Sequence, residues 1–108
     1  EIISPYDDKT HFVPYHLYTL RLNDDVIDVS RKDFVKVLKG KYKVGVSIHY
    51  HPIWRWSFYR EMGCGPEGTP TAARILPQIF NVPVFPHMSQ EDVDYVAWAL
   101  KQSLTEVS

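Results

Sequence analysis

The chain has 108 residues, 44% hydrophobic and 23% charged, a globular balance at the size of one domain. Twelve basic against thirteen acidic residues leave a net charge of −1, without the basic surplus that marks a nucleic-acid binder. No apolar run nears the ~20 residues of a membrane span and no secretory signal is visible.

One cysteine, Cys64, has no partner for an intramolecular disulfide, which fits a reducing, cytoplasmic setting. Residues 1–14 hold Pro5, Pro14 and the polar run Asp7-Asp8-Lys9-Thr10 without a clear period. They read as an extended lead-in or interdomain segment, and the opening Glu1 predicts a chain processed or cut from something longer. Residues 15–108 then form one domain. Tyr15–Leu22, YHLYTLRL, alternates as a strand with Tyr18, Leu20 and Leu22 on one face. His16 would share that face, partly buried.

Ser30 and Asp33 make a capping-box-like start for a helix over 31–39, with Gly40 placed for a left-handed stop. A helix this short needs a sheet to pack on. Val44–Tyr50, VGVSIHY, predicts a second strand. Its alternation sets Val44, Val46, Ile48 and Tyr50 against Gly45, Ser47 and His49. Thr69-Pro70 suits the start of a helix that Pro77 ends. Asn81–Phe85 reads as a short extended piece between prolines. Ser89 and Asp92 cap a final helix with Val93, Val96, Ala97, Leu100 and Leu104 as its stripe. The order predicts a two-layer α/β (α+β) sandwich, with a small mixed sheet carrying helices on one face.

The residues rich in chemistry are His49-Tyr50-His51-Pro52-Ile53-Trp54-Arg55-Trp56. Two readings of His49 stand side by side. It is either an ordinary hydrogen-bonded histidine at a strand end, or part of a cleft where strands give way to loops. The aromatic side chains and Arg55 have the means to stack on a base or sugar and pair with a phosphate. His49 and His51 point the same way in a strand, but no further ligands with zinc-site spacing accompany them, so no metal is assigned. Cys64 lies between glycines with no base nearby in sequence, so no nucleophile is assigned either. Residues alone lead no further than a globular α/β domain with an aromatic, histidine-bearing strand end.

Four stretches go further when taken in order. These are His16-Leu17-Tyr18 with Leu20-Arg21-Leu22, Val46-Ser47-Ile48-His49-Tyr50 with Pro52-Ile53, Phe58-Tyr59-Arg60-Glu61 with Gly63, and Val82-Pro83-Val84-Phe85-Pro86 running into Met88–Val96. Together they resemble the C-terminal small domain of the DegT/DnrJ/StrS family of sugar aminotransferases.

The resemblance implies a fold-type-I enzyme dependent on pyridoxal 5'-phosphate (PLP), usually a homodimer. Such an enzyme moves an amino group, usually from glutamate, to a keto-sugar nucleotide. It places the catalytic lysine and most PLP contacts in a large domain, so no catalytic or cofactor-binding residue is assigned in this chain, and the chain alone is expected to be inactive. His49 and Tyr50 match the family's strand end residue for residue and are assigned to the substrate. Trp54 stands where the family often has histidine, and Trp56-Ser57 where it commonly has His-Pro; Trp54 is assigned to pack on substrate or on a partner subunit. Two other readings remain at this point: a PLP-dependent sugar dehydratase relative, and a freestanding non-catalytic ligand-binding module.

Overall fold

A computed structural model describes all residues, 1–108. Its sheet has three strands, β1 (Ile2–Ile3), β2 (Tyr18–Leu22) and β3 (Ile79–Val82), in spatial order β1-β2-β3. Both pairings are antiparallel, with Ile2 opposite Leu22 and Leu20 opposite Phe80. The two-layer α+β arrangement is the one the element order implies, while the mixed sheet expected from sequence is antiparallel throughout.

The inward face of β2 and β3 presents Leu20, Leu22 and Phe80 to two helices, α1 (Arg31–Gly40) and α4 (Gln90–Val107). Phe34 and Leu38 of α1 are fully buried there, and the rings of Phe34 and Phe80 meet at 5.3 Å. Ala99 and Leu104 bring α4 into the same core, joined by Tyr42 and Val44 from the chain leaving α1. Both long helices begin on local signals. Ser30 accepts from the Asp33 amide, and Ser89 and Asp92 form a reciprocal capping box. Pro70 opens the short α3 (Pro70–Ile75), and the single turn α2 (Ser57–Glu61) follows the aromatic run.

Several local expectations change. The lead-in is not wholly irregular, because Ile2 and Ile3 pair with β2. Gly40 closes α1 inside the helix, and the left-handed residue is Lys43, at φ 56°. His16 sits exposed in the bend before β2. The strand near residue 81 begins at Ile79 and ends at Val82, before Pro83 can interrupt its pairing.

The largest change concerns Val44–Tyr50, which is not a strand: its one ladder contact is an antiparallel bridge from Ser47 to Asn81. Lys43 in the left-handed region turns the chain as it enters, and the exposed Gly45 supplies no side chain to pack. The segment is a strap along the free edge of β3.

Helix α4 carries a second surprise. Its core side holds Ala99, Ser103 and the stripe residue Leu104, with Val96 and Leu100 packed against the core, and Val93, Val96, Ala97 and Leu100 also line an open groove with Tyr15, Tyr18 and Val84. That groove has a volume of about 450 Å³. Twelve of 108 residues are buried, and the radius of gyration, 15.7 Å, exceeds the ~13 Å expected of a closed domain of this size. The fold thus leaves much of its apolar surface uncovered.

Candidate functional site

The strap is fixed by one buried side chain. Asn81, 3% exposed, sits on the outer face of β3 opposite Thr19. Its main chain exchanges both hydrogen bonds with Ser47, at 2.8 and 3.2 Å. Its carboxamide oxygen accepts from the Thr19 hydroxyl at 2.5 Å. The nitrogen donates to the Ser47 carbonyl at 3.2 Å and to Nδ1 of His49 at 3.1 Å. The Ser47 carbonyl can only accept, so the amide orientation is determined. Nδ1 of His49 is therefore an acceptor, and the neutral ring carries its proton on Nε2.

Alternation then divides the predicted site. His49, half-buried, turns back to Asn81, while Ile48 and Tyr50 face the other way. The apolar stripe fades along the strap: Val44 is buried, Ile48 is 38% exposed and Tyr50 is 74% exposed. Tyr50, His51, Trp54 and Arg55 line a cavity of about 150 Å³ whose opposite wall includes Arg31 from α1 and Leu76 and Pro77 after α3. Ile53–Arg55 forms a single 3₁₀ turn that brings Trp54 and Arg55 round to this cavity. His49 is not among its walls, although its ring stacks edge-on against that of Tyr50 at 4.8 Å. Of the three predicted substrate residues, two share the cavity and one stands behind it.

Sequence reasoning missed two residues here. Arg31 donates from Nη1 to the carbonyls of Leu76 and Ile79, both at 2.7 Å, and so ties α1 to the chain leading into β3. Burial, and next the nearby Arg55 charge, push its guanidinium below the usual arginine range. Asn81 is the other. The signal for it was slight: a polar residue within an otherwise apolar run, which marks a buried hydrogen-bond site only when its partners are known.

No group of three His, Cys, Asp or Glu side chains is arranged to hold a metal ion, and His49 and His51 do not converge on one cavity. No helix is long and apolar enough to cross a membrane.

The model of the DegT/DnrJ/EryC1/StrS aminotransferase family matches residues 1–101. The chain belongs to that family. Among its relatives, the spore coat polysaccharide biosynthesis protein SpsC of Bacillus subtilis is 30% identical over 103 residues, covering 93% of this chain and 26% of SpsC. MJ1066 of Methanocaldococcus jannaschii is 31% identical over 106 residues, covering 97% of this chain and 27% of that protein. Among solved structures, Spr1654 of Streptococcus pneumoniae, described as a sugar aminotransferase, superimposes in its PLP form with a TM-score of 0.77 at 20% identity. That match covers 99% of this chain and 27% of Spr1654. Its PMP form gives 0.71 over 86% of this chain. These structures establish the shared fold, and the chain spans about a quarter of the length of the curated relatives it matches.

Family membership raises the question of whether the residues present fit PLP. The cofactor needs a lysine for its Schiff base, and no lysine lines the cavity. Lys41 is engaged elsewhere, bonded at 2.5 Å to Glu106, which raises its pKa first through that hydrogen bond. The cavity wall of this family member therefore does not fit the cofactor by itself; it presents aromatic and cationic groups instead.

Proposed function

We propose that this chain is the C-terminal small domain of a PLP-dependent aminotransferase that transfers an amino group from glutamate to a keto-sugar nucleotide. The observation that carries the reading is family membership over residues 1–101 in a chain spanning about a quarter of its relatives. The name of SpsC, a polysaccharide biosynthesis protein, supports a sugar substrate. In this proposal the Schiff-base lysine and the cofactor cradle belong to a large domain, PLP supplies the electron sink when bound, and the 108-residue chain alone has no turnover. The whole enzyme works as a cytoplasmic homodimer.

The residues of this chain act on the substrate side. Tyr50 and Trp54 give the cavity its aromatic wall, suited to packing on a sugar or base. Asn81 holds Nδ1 of His49, leaving Nε2–H as a donor to a substrate hydroxyl or phosphate oxygen at the rim. In this proposal Tyr50, largely exposed here, lines the cleft near PLP. The open groove between β2, β3 and α4 supplies apolar surface against which a further domain can close.

His49→Ala in the full-length enzyme tests the assignment. It should lower kcat/KM for the keto-sugar nucleotide about 10-fold or more, as for loss of one hydrogen bond to a charged or polar substrate group. Loss of PLP absorbance in the same variant should not occur. Unchanged kinetics across several keto-sugar nucleotides would remove His49 from the site.

A further inference from the structure

The bridge between Ser47 and Asn81 fixes where any further pairing of the strap with β3 would fall. The two residues exchange both main-chain hydrogen bonds, so the next such mutually bonded pairs lie two residues away on each side. Those are Gly45 with Pro83 and His49 with Ile79. Neither pair forms. The amides of Gly45 and His49 donate to no protein group, and nor do those of Ile48, Tyr50 and His51. The sequence itself does not forbid pairing, since Val44–Tyr50 alternates as a strand should.

The two flanking positions of β3 are closed by different means. Pro83 has no amide hydrogen to give to the Gly45 carbonyl, although the two residues line one cleft. At the other end, Leu22 bonds the Gln78 carbonyl at 3.1 Å and Leu20 stands opposite Phe80. Residues 78 and 80 therefore serve β2, and alternation turns the Ile79 carbonyl outward to the strap side. Nη1 of Arg31 is already seated on that carbonyl at 2.7 Å, where the His49 amide would have to come. The same Nη1 bonds the Leu76 carbonyl, so the guanidinium is braced from a second side.

Proline and charged side chains are common means of keeping a sheet edge from pairing. Here the edge meets the chain's own next segment, and the effect is to release that segment after one rung. From Ile48 the backbone leaves β3, and Tyr50 and Trp54 come to the cavity wall beyond it. A strand continued through His49 would hold the chain against the sheet for two residues more.

We infer that Arg31 is a positioning residue: by occupying the Ile79 carbonyl it ends the strap's pairing at Ser47. Together with Pro83 it keeps Val44–Tyr50 from becoming the fourth strand of the sheet. The strap is a strand held short of pairing, with the Ser47–Asn81 bridge as its pivot. The inference rests on main-chain geometry and stands or falls apart from the proposed function.

Amide hydrogen exchange followed by NMR on the 108-residue chain tests it. In the parent, the Ser47 and Asn81 amides should be protected, while those of Gly45 and His49 exchange near the free-chain rate. Arg31→Met keeps the stem and removes the donors. It should slow exchange of the His49 amide about 10-fold or more, as that amide takes the vacated carbonyl. A tie that merely stabilised the fold would give the opposite sign, because its loss speeds exchange. Should Arg31→Met not fold, Arg31→Lys, which lacks the forked donor geometry, is read in the same way and should give a smaller gain. Pro83→Val supplies an independent reading, since Pro83 is not among the walls of the Arg31 cavity. There the Gly45 amide should gain about 10-fold protection with His49 unchanged. A His49 amide that is already protected in the parent, or that exchanges no more slowly once Arg31 is replaced, overturns the role of Arg31. A Gly45 amide unchanged in Pro83→Val overturns the role of Pro83.

Discussion

Replacing Asn81 by alanine removes three side-chain hydrogen bonds in one step: from the Thr19 hydroxyl, to the Ser47 carbonyl and to Nδ1 of His49. Each is worth a net ~1 kcal/mol. The Ser47 carbonyl keeps the Asn81 amide at 2.8 Å, and Nδ1 of His49 keeps the Ser47 hydroxyl at 3.4 Å. The Thr19 hydroxyl, half-buried, is the group left without a protein partner. The expected loss is therefore about 2–3 kcal/mol, the upper part reflecting the small void at a site that is 3% exposed. Against the ~5–15 kcal/mol of a typical domain, that is a large share, and it corresponds to a fall of about 1–2 M in the urea midpoint. Equilibrium urea unfolding followed by circular dichroism measures it. Nitrogen chemical shifts of the His49 ring, recorded on the same variant, should show the Nε2–H tautomer of the parent giving way to a mixture. A loss under about 0.5 kcal/mol together with an unchanged His49 ring would refute the claim that Asn81 holds the strap.

Two further outcomes concern α4. Glu106 accepts from Lys41 and from the Tyr42 hydroxyl, and its carboxyl is held below the usual glutamate range, first by the Lys41 bond and then by the Tyr42 bond. A depressed carboxylate stabilises the fold above its unfolded-state pKa, and that contribution is lost as pH falls through the folded-state value. Urea midpoints measured between pH 7 and pH 3 should fall less steeply in Glu106→Gln than in the parent; parallel slopes would show that the clip contributes nothing. Ser89→Ala breaks the capping box of α4 and should cost about 1 kcal/mol, readable as a lower thermal midpoint with an unchanged far-UV spectrum below it.

What was legible in the sequence follows the range of the interactions. Ser30 with Asp33 and Ser89 with Asp92 are capping partners three residues apart, so both helix starts could be read locally. Pro70 and Pro77 act through their own backbone and bounded α3 as expected. The strap failed as a strand because alternation reports a preference for two faces, whereas a strand needs a ladder, and only Ser47 found one. Ile2 and Ile3 are too few to show a period, and their strand exists through pairing with Leu22 and Arg21.

The stripe on α4 was read correctly as apolar: Leu104 is core and Val96 and Leu100 pack against it, while Val93 and Ala97 stay exposed along the groove. Ala99 and Ser103 are fully buried and small, a property that hydrophobic periodicity ranks low. At the site, Tyr50 and Trp54 were found because aromatic density is visible in one dimension. Arg31 was not, because it enters the cavity from 24 residues upstream of Arg55, across packing that no local pattern encodes.

The central claim is that this family member serves the substrate side of an aminotransferase whose chemistry is housed elsewhere. The most direct measurement compares the 108-residue chain with the protein extended by its upstream coding sequence. Each is given PLP, glutamate and a panel of keto-sugar nucleotides, and release of 2-oxoglutarate is followed. The account predicts turnover by the extended protein and none by the 108-residue chain. Turnover by the short chain, or an extended protein that binds PLP yet aminates none of the panel, would contradict it.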